Sequence, residues 1–297
     1  MHRQTITRTP RATRLRALLA ATLSLGLFGT AAQSGESTSA DVLSIGGSVT
    51  EIVYALDQEH RLVARDTTST YPPEATTLPD VGYMRALSAE GVLSVAPNLV
   101  LAEEGAGPPE TIDVLNAAGI AIVTVPDRYD AEGIGLKIRK VGAALGVADK
   151  ADRLASRIKT DLNEAARKSD ARADADRKRV LFVLSTEGGS ILASGTGTAA
   201  HAIIGLAGGK NTVTGFEGYK RMTDEAVTTA APDVILVMDR EGNHAITAEG
   251  LSTLPAIRPT PAGRNGAVIR MNGLYLLGFG PRTAKAVADL STALYGP

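Results

Sequence analysis

The stretch DKADRLASRIKTDLNEAARKSDARADADRKR, residues 149–179, has almost no strand formers and is rich in Ala, Arg, Lys, Asp and Leu. Leu154, Ile158 and Leu162 recur every four residues, which makes one apolar face of a helix. A flexible linker would instead be rich in Gly, Ser and Pro. The spacing predicts a long helix from about Lys150 to Lys168 with a charged tail beyond it, and assigns 148–178 to a connecting element.

On both sides of this helix the texture is different. From Val42 onward, short apolar runs (VLSI, RLVARD, NLVLAE, IAIVTV) alternate with helical spacings. SVTEIVYAL is expected to open at Ser48 as N-cap. SAEGVLSV is a short helix. PPETIDVLNAAG opens with proline and stops at Gly119, and AEGIGLKIRKVGAALG ends at Gly146. After Arg179 the same alternation resumes with VLFVLS, TAAHAIIGLAGG, TDEAVTTAA, DVILVM and AVIRM, and a last helix from about Arg282 to Leu294. Strands alternating with helices argue for sheets that are mostly parallel and covered by helices. The expected fold is therefore α/β: an N-terminal lobe over 41–147 and a C-terminal lobe over 179–297, joined by one long helix. A repeat supports this plan. GYMRALSAEGVLSVAPNLVL begins at Gly82, and GYKRMTDEAVTTAAPDVIL begins at Gly218. Both run from Gly-Tyr to a glutamate (Glu90, Glu225), and each glutamate is followed by Pro (Pro97, Pro232) at the same spacing. Two versions of one unit would face each other across a cleft, where ligands usually bind. Ser88 and Thr223 are expected N-caps, which puts Glu90 and Glu225 in first helical turns, where acids suit the helix dipole.

The N-terminus adds a location. Arg3, Arg8, Arg11, Arg14 and Arg16 precede an apolar run, LRALLAATLSLGLFGTAA, that ends in small residues. This reads as a secretory signal peptide over 1–32, with the exported protein starting near Gln33. No other apolar run approaches the roughly 20 residues a spanning helix needs. The 297 residues carry a net charge of -1, which gives no general attraction to nucleic acid or anionic membrane. There are no cysteines, which excludes disulfides, thiol catalysis and a lipid-modified N-terminal cysteine.

The chain also resembles a known family. SIGGSVTEIVYAL, DTTSTYPPEA, LPDVGYMRALSAEGVLSVAPNLVL, LAGGKN and NGLYLLGFGPRT, in this order, are similar to segments of periplasmic haem-binding proteins of bacterial haem-uptake ABC transporters. The helix-linked two-lobe plan belongs to a wider class that includes binding proteins for ferric siderophores and vitamin B12. The narrower likeness rests mainly on DTTSTYPPEA with LPDVGYMR. It implies that Tyr71 supplies the axial ligand to haem iron. The chemistry agrees, because phenolate oxygen is a hard anionic donor and tyrosine is an established haem ligand. Pro72 and Pro73, which follow it directly, would stiffen the loop that presents it. Haem also needs cations for two propionates and apolar surface for its faces. Arg85 from one repeat, and Lys220 and Arg221 from the other, are candidates for the first role. Tyr83, Tyr219 and Tyr275 are candidates for the second. The resemblance further implies that Glu90 and Glu225 dock onto a membrane permease with its ATPase, and that the protein is a periplasmic carrier of ferric haem and not an enzyme. A ferric siderophore or corrinoid carrier is the alternative ligand reading, and an exported α/β enzyme the alternative class.

Other signals are weak. GTGTAA (195–200) fits a loose dinucleotide pattern, but its glycines are better read as shaping a turn before the helix that holds His201. His60 reads as surface and His244 as loop. His201 is the candidate for a second iron ligand or for holding a second haem. No histidine pair has the spacing of a zinc helix, and no GxSxG elbow is present.

Overall fold

The computed structural model describes residues 40–170, 172–239 and 248–297. The predicted signal peptide and His244 lie outside the described residues.

The first lobe alternates strand and helix: β1 (Val42–Ile45), α1 (Gly47–Ala55), β2 (Leu62–Arg65), α2 (Ala89–Ser94), β3 (Leu99–Glu103), α3 (Pro109–Ala117), β4 (Ala121–Val125) and α4 (Ala131–Ala144). Its sheet has the order β2-β1-β3-β4, and every pairing is parallel. α3 opens on Pro109, as the sequence predicts, and α3 and α4 are each followed by a positive-φ glycine, Gly119 and Gly146. Ser48 is not the cap of α1. The helix begins at Gly47, and the Ser48 hydroxyl donates to the Glu103 carboxylate instead. The first turn of α1 is capped from outside the helix, as described below.

α5 (Ala148–Asp170) is the long helix expected from the spacing of Leu154, Ile158 and Leu162, and all three are buried. It stops well before residue 178; a 3-10 turn over Asp174–Asp176 follows. Burial of each such side chain is worth on the order of 1.5–3 kcal/mol. α5 packs on α4 through small residues: a Cβ added at Gly142 would lie 2.2 Å from the Ala151 Cβ.

The second lobe contains β5 (Arg179–Ser185), β6 (Ile191–Ser194), α6 (Ala199–Leu206), β7 (Lys210–Asn211), β8 (Tyr219–Met222), α7 (Asp224–Ala230), β9 (Val234–Asp239), α8 (Ala248–Thr253), α9 (Pro261–Asn265), β10 (Val268–Asn272), α10 (Gly273–Leu277) and α11 (Thr283–Tyr295). The strand order is β10-β9-β5-β6-β8, with β7 beside β5. β10, β9, β5 and β7 pair in parallel, while β6 runs antiparallel to both β5 and β8. The second sheet is thus mixed.

The two lobes share a central cluster, beside a separate buried cluster in each. Val42, Ile52 and Leu101 of the first lobe, Ile138 and Leu162 of α4 and α5, and Phe182, Leu236 and Leu290 of the second lobe form a single buried cluster. α5 is therefore more than a tether. With α4 and α11 it forms a common helical layer on which both sheets rest.

Candidate functional site

The loop carrying Tyr71 is anchored by buried oxygens upstream of its prolines. Asp66 and Ser69 are fully buried. One Asp66 carboxylate oxygen accepts from the Gly46 N–H at 3.0 Å and from the Ser69 hydroxyl at 2.6 Å. The other accepts from the backbone N–H and hydroxyl of Thr68, at 3.0 and 2.6 Å. The Thr68 hydroxyl in turn accepts from the Gly47 N–H at 3.0 Å. Asp66 and Thr68 thereby satisfy the first amides of α1, which a helix leaves unpaired. A carboxylate closing its own turn two residues on is a behaviour typical of aspartate. Gly46 adopts φ 105, a conformation that favours glycine. Thr50 adds a hydroxyl contact to Ser69 at 2.7 Å.

Downstream, Asp80 holds the other end. It accepts from Arg65 at 3.0 Å, from the Thr67 hydroxyl at 3.1 Å and from the Gly82 N–H at 2.8 Å. The DTTSTYPPEA and LPDVGYMR segments are therefore one cross-braced unit. Its two tyrosines project outward: Tyr71 is 41% exposed and Tyr83 is 48% exposed. Among the described residues, none accepts from or donates to the Tyr71 hydroxyl. The ring, in contrast, is covered on one face by the guanidinium of Arg282, whose central carbon lies 3.5 Å from the ring centroid.

Across from this unit, β8 carries three candidates in a row. Successive strand residues point to opposite faces. Tyr219 packs edge-on to Phe182, with 6.4 Å between ring centroids. Arg221 shares the Tyr219 face of the strand and donates to the Glu187 carbonyl at 2.9 Å. Lys220 points the other way, with its ammonium 5.3 Å from the Phe216 ring centroid. The structure therefore groups Arg221, and not Lys220, with Tyr219. Tyr219 has an exposed ring, but its phenol is pushed above the ordinary tyrosine range by burial of its polar end, offset by Thr198, Ser194 and the charge of Arg85. The charge of Arg85 in the first lobe thus reaches the phenol of Tyr219 in the second. Tyr129 joins them from the segment before α4. Its ring meets Phe279 edge-on at 5.2 Å, and its hydroxyl donates to Asp127 at 3.0 Å. Burial, reinforced by the Asp127 carboxylate, raises its phenol. Tyr275 is committed differently: its hydroxyl donates to Asp289 at 2.8 Å, and its ring lies 5.0 Å from the Arg282 guanidinium. Burial and that hydrogen bond push its phenol up to about 12.

A buried ionic group lies in the same region. Lys137 on α4 is fully buried. Its ammonium donates to Glu103 at 2.5 Å, to Asp127 and Ser48 at 2.9 Å each, and to the Gly278 carbonyl of the second lobe at 3.4 Å. Burial raises the Glu103 carboxyl, countered by Lys137. Lys137 is held above its ordinary value because two carboxylates outweigh its own desolvation. Arg282 pairs with both carboxylate oxygens of Glu51 on α1, a charge pair that joins the two lobes. Asp66, Asp80, Glu51, Tyr129 and Arg282 were not singled out from the sequence. DTTS carries a local turn signal that points to Asp66; Glu51 and Arg282 carry none until the fold is known.

Ser88 and Thr223 are the caps expected: each accepts from the amide three residues on, Gly91 at 3.0 Å and Ala226 at 3.2 Å. Glu90 and Glu225 sit in those first turns and are exposed. Glu225 borders an open depression of about 680 Å³ lined by Phe216, Met222 and Thr229. His60 lies in an exposed 3-10 turn. His201 lies on α6 with its Nδ1 3.3 Å from the Asn211 amide, and Thr198 supplies the cap of that helix. Among the described residues no group of three or more His, Asp or Glu side chains is arranged to hold a metal ion, and no helix is long and apolar enough to cross a membrane.

Two α/β lobes on a shared helical layer, with exposed tyrosines on a braced loop, have the build of a substrate-binding protein. The periplasmic binding protein family matches residues 42–273, and the chain belongs to that family. It is accordingly a binding protein and not an enzyme. Among solved structures, it is similar to the periplasmic heme-binding protein BhuT in complex with two hemes, at 43% identity and TM-score 0.80, over 86% of this chain and 97% of that one. It is also similar to the periplasmic heme-binding protein RhuT from Roseiflexus sp. RS-1 in apo form, at 37% identity and TM-score 0.82, over 86% and 98% of the two chains. An uncharacterized ABC transporter substrate-binding lipoprotein of Bacillus subtilis (strain 168) is 29% identical over 257 residues, 86% of this chain and 79% of that protein. A vitamin B12-binding protein of Yersinia pestis (strain Pestoides F) is 28% identical over 219 residues, 73% of this chain and 75% of that protein.

Proposed function

We propose that this protein captures ferric haem in the periplasm and delivers it to an inner-membrane ABC importer. The observation that carries the reading is Tyr71: an exposed phenol, free of hydrogen-bond partners among the described residues, on a loop locked by Asp66 and Asp80. A ligand oxygen held ready in this way needs little reorganisation to meet a metal. Heme-binding neighbours of 43% and 37% identity support haem over other cargoes. In this reading Tyr71 ligates the iron, Tyr83 and Tyr219 flank the porphyrin, and Arg85 and Arg221 receive propionates. Lys220, directed to the far face of β8, is the weakest of the cations named from the sequence. Glu90 and Glu225 then meet the permease, one from each lobe, through orienting and salt-sensitive contacts. Cargo capture and release involve no covalent turnover.

The vitamin B12-binding relative makes a corrinoid the second cargo to test. Purified protein titrated separately with ferric haem, cobalamin and a ferric siderophore decides between them. Haem is expected to give a saturable Soret band and to bind most tightly. Tighter binding of either competitor overturns the haem reading.

A further inference from the structure

Arg282 stands one residue before α11, near the end of the chain, yet its guanidinium lies over the Tyr71 ring. Its guanidinium is fixed on both sides. Nε donates to one oxygen of Glu51 at 3.0 Å and Nη2 donates to the other, while the central carbon lies over the Tyr71 ring, 3.5 Å from its centroid. Glu51 is only 5% exposed, so this carboxylate has little water to turn to. The approach is close along the backbone as well: a Cβ at Gly280 would sit 3.5 Å from both the Glu51 carboxylate and the Ser48 Cβ. Tyr275, with its hydroxyl tied to Asp289, flanks the same guanidinium at 5.0 Å. Arginine stacks on aromatic faces and forks onto carboxylates, and here one side chain does both.

We infer that Arg282, clamped by Glu51, is a positioning residue for Tyr71. It grips the ring by its face and leaves the hydroxyl clear, so it sets the direction in which the oxygen is offered to the iron. The inference rests on the haem reading above. It adds that the ligand from the first lobe is aimed by the residue that precedes the last helix, so the iron site is complete only when both ends of the chain are docked. Groups that orient a metal ligand typically change metal affinity 10–100-fold when removed.

The test compares wild type with Tyr71→Phe, Arg282→Gln, Arg282→Lys and Glu51→Gln. Each is titrated with ferric haem and read by absorption and electron paramagnetic resonance. The tyrosine ring carbons are also followed by NMR in haem-free protein. Arg282→Gln is expected to weaken haem binding about 10–100-fold, to move the ferric spectrum toward that of Tyr71→Phe, and to shift the Tyr71 ring resonance before haem is added. Glu51→Gln should move all three in the same direction by less, and Arg282→Lys should restore part of the affinity. A lower melting temperature with wild-type affinity and spectrum in Arg282→Gln and Glu51→Gln overturns the positioning role and leaves Tyr71 as ligand. A wild-type spectrum in Tyr71→Phe overturns the ligand assignment itself, and with it any role of Arg282 toward the iron. If Arg282→Gln does not fold, wild-type values in both Arg282→Lys and Glu51→Gln overturn the positioning role.

Discussion

Lys137 is a full charge with no exposed surface, surrounded by Glu103, Asp127, Ser48 and the Gly278 carbonyl. Removing one partner of a buried pair leaves an uncompensated charge, which typically costs about 3–5 kcal/mol. Lys137→Met should therefore lower the unfolding free energy by about that amount, and adding Glu103→Gln to it should recover part of the loss in denaturant titration. Glu51 gives a pH signature. Its carboxyl is raised by burial, only partly offset by Arg282. The folded protein thus holds that proton at pH values where the unfolded chain has released it. Its contribution favours folding most below the ordinary carboxylate range and declines as pH rises through the raised folded value. The stability difference between wild type and Glu51→Gln should fall as pH increases from about 4.5; a difference that is flat or rises with pH contradicts this environment. None of these acids announces itself in the sequence. Glu51, Glu103 and Lys137 have the look of ordinary helix and strand-end charges, and the partners that meet them lie 10 to 231 residues away in the chain. Tyr71 was legible because family-like flanking residues marked it, and the DTTS turn that holds it is a local device.

At the scale of elements, the α4–α5 contact depends on the absence of a side chain. Gly142→Ala would drive a methyl to 2.2 Å from the Ala151 Cβ, so the helices must part. Overpacking of this kind costs about 1–3 kcal/mol, more than the gain in helix propensity. Gly205 on α6 is the contrast: it is exposed, and a Cβ there meets nothing within 4 Å. Gly205→Ala should stabilise by up to about 1 kcal/mol. Opposite signs for the same substitution, read as melting temperatures, check the packing directly. The long helix was legible because three apolar residues at a spacing of four leave one interpretation. The parallel strands were legible as apolar runs bounded by turns. β6 and β8 were not: ILAS and YKRM are four residues each, and β8 is mostly exposed. Their pairing comes from the antiparallel ladder itself, Leu192 with Arg221 and Ser194 with Tyr219, which local pattern does not encode.

At the scale of the molecule, the Gly-Tyr to glutamate repeat puts an exposed tyrosine and a short helix within a few positions of each other in both lobes. Tyr83 leads into α2 with Glu90, and Tyr219 leads into α7 with Glu225. Glu90→Lys and Glu225→Lys are each expected to leave haem binding intact and to reduce haem uptake through the reconstituted importer, with the double variant losing most of it and the defect depending on ionic strength. Full uptake by the double variant removes the docking role. The shared core of the two lobes, with the Glu51–Arg282 and Lys137–Gly278 links across it, favours capture on a fixed frame. Two similar halves and a helix between them are legible in the sequence; that the helix serves both halves as one packed layer follows from Leu154, Ile158 and Leu162 lying in the cluster that spans both lobes.

The most direct measurement is the ferric spectrum of the haem complex in wild type and Tyr71→Phe, a change of one oxygen atom. A phenolate-to-iron charge-transfer band present in wild type and absent in the variant, with weaker binding, is the predicted result. The same band and affinity in both proteins would mean that the iron is held elsewhere.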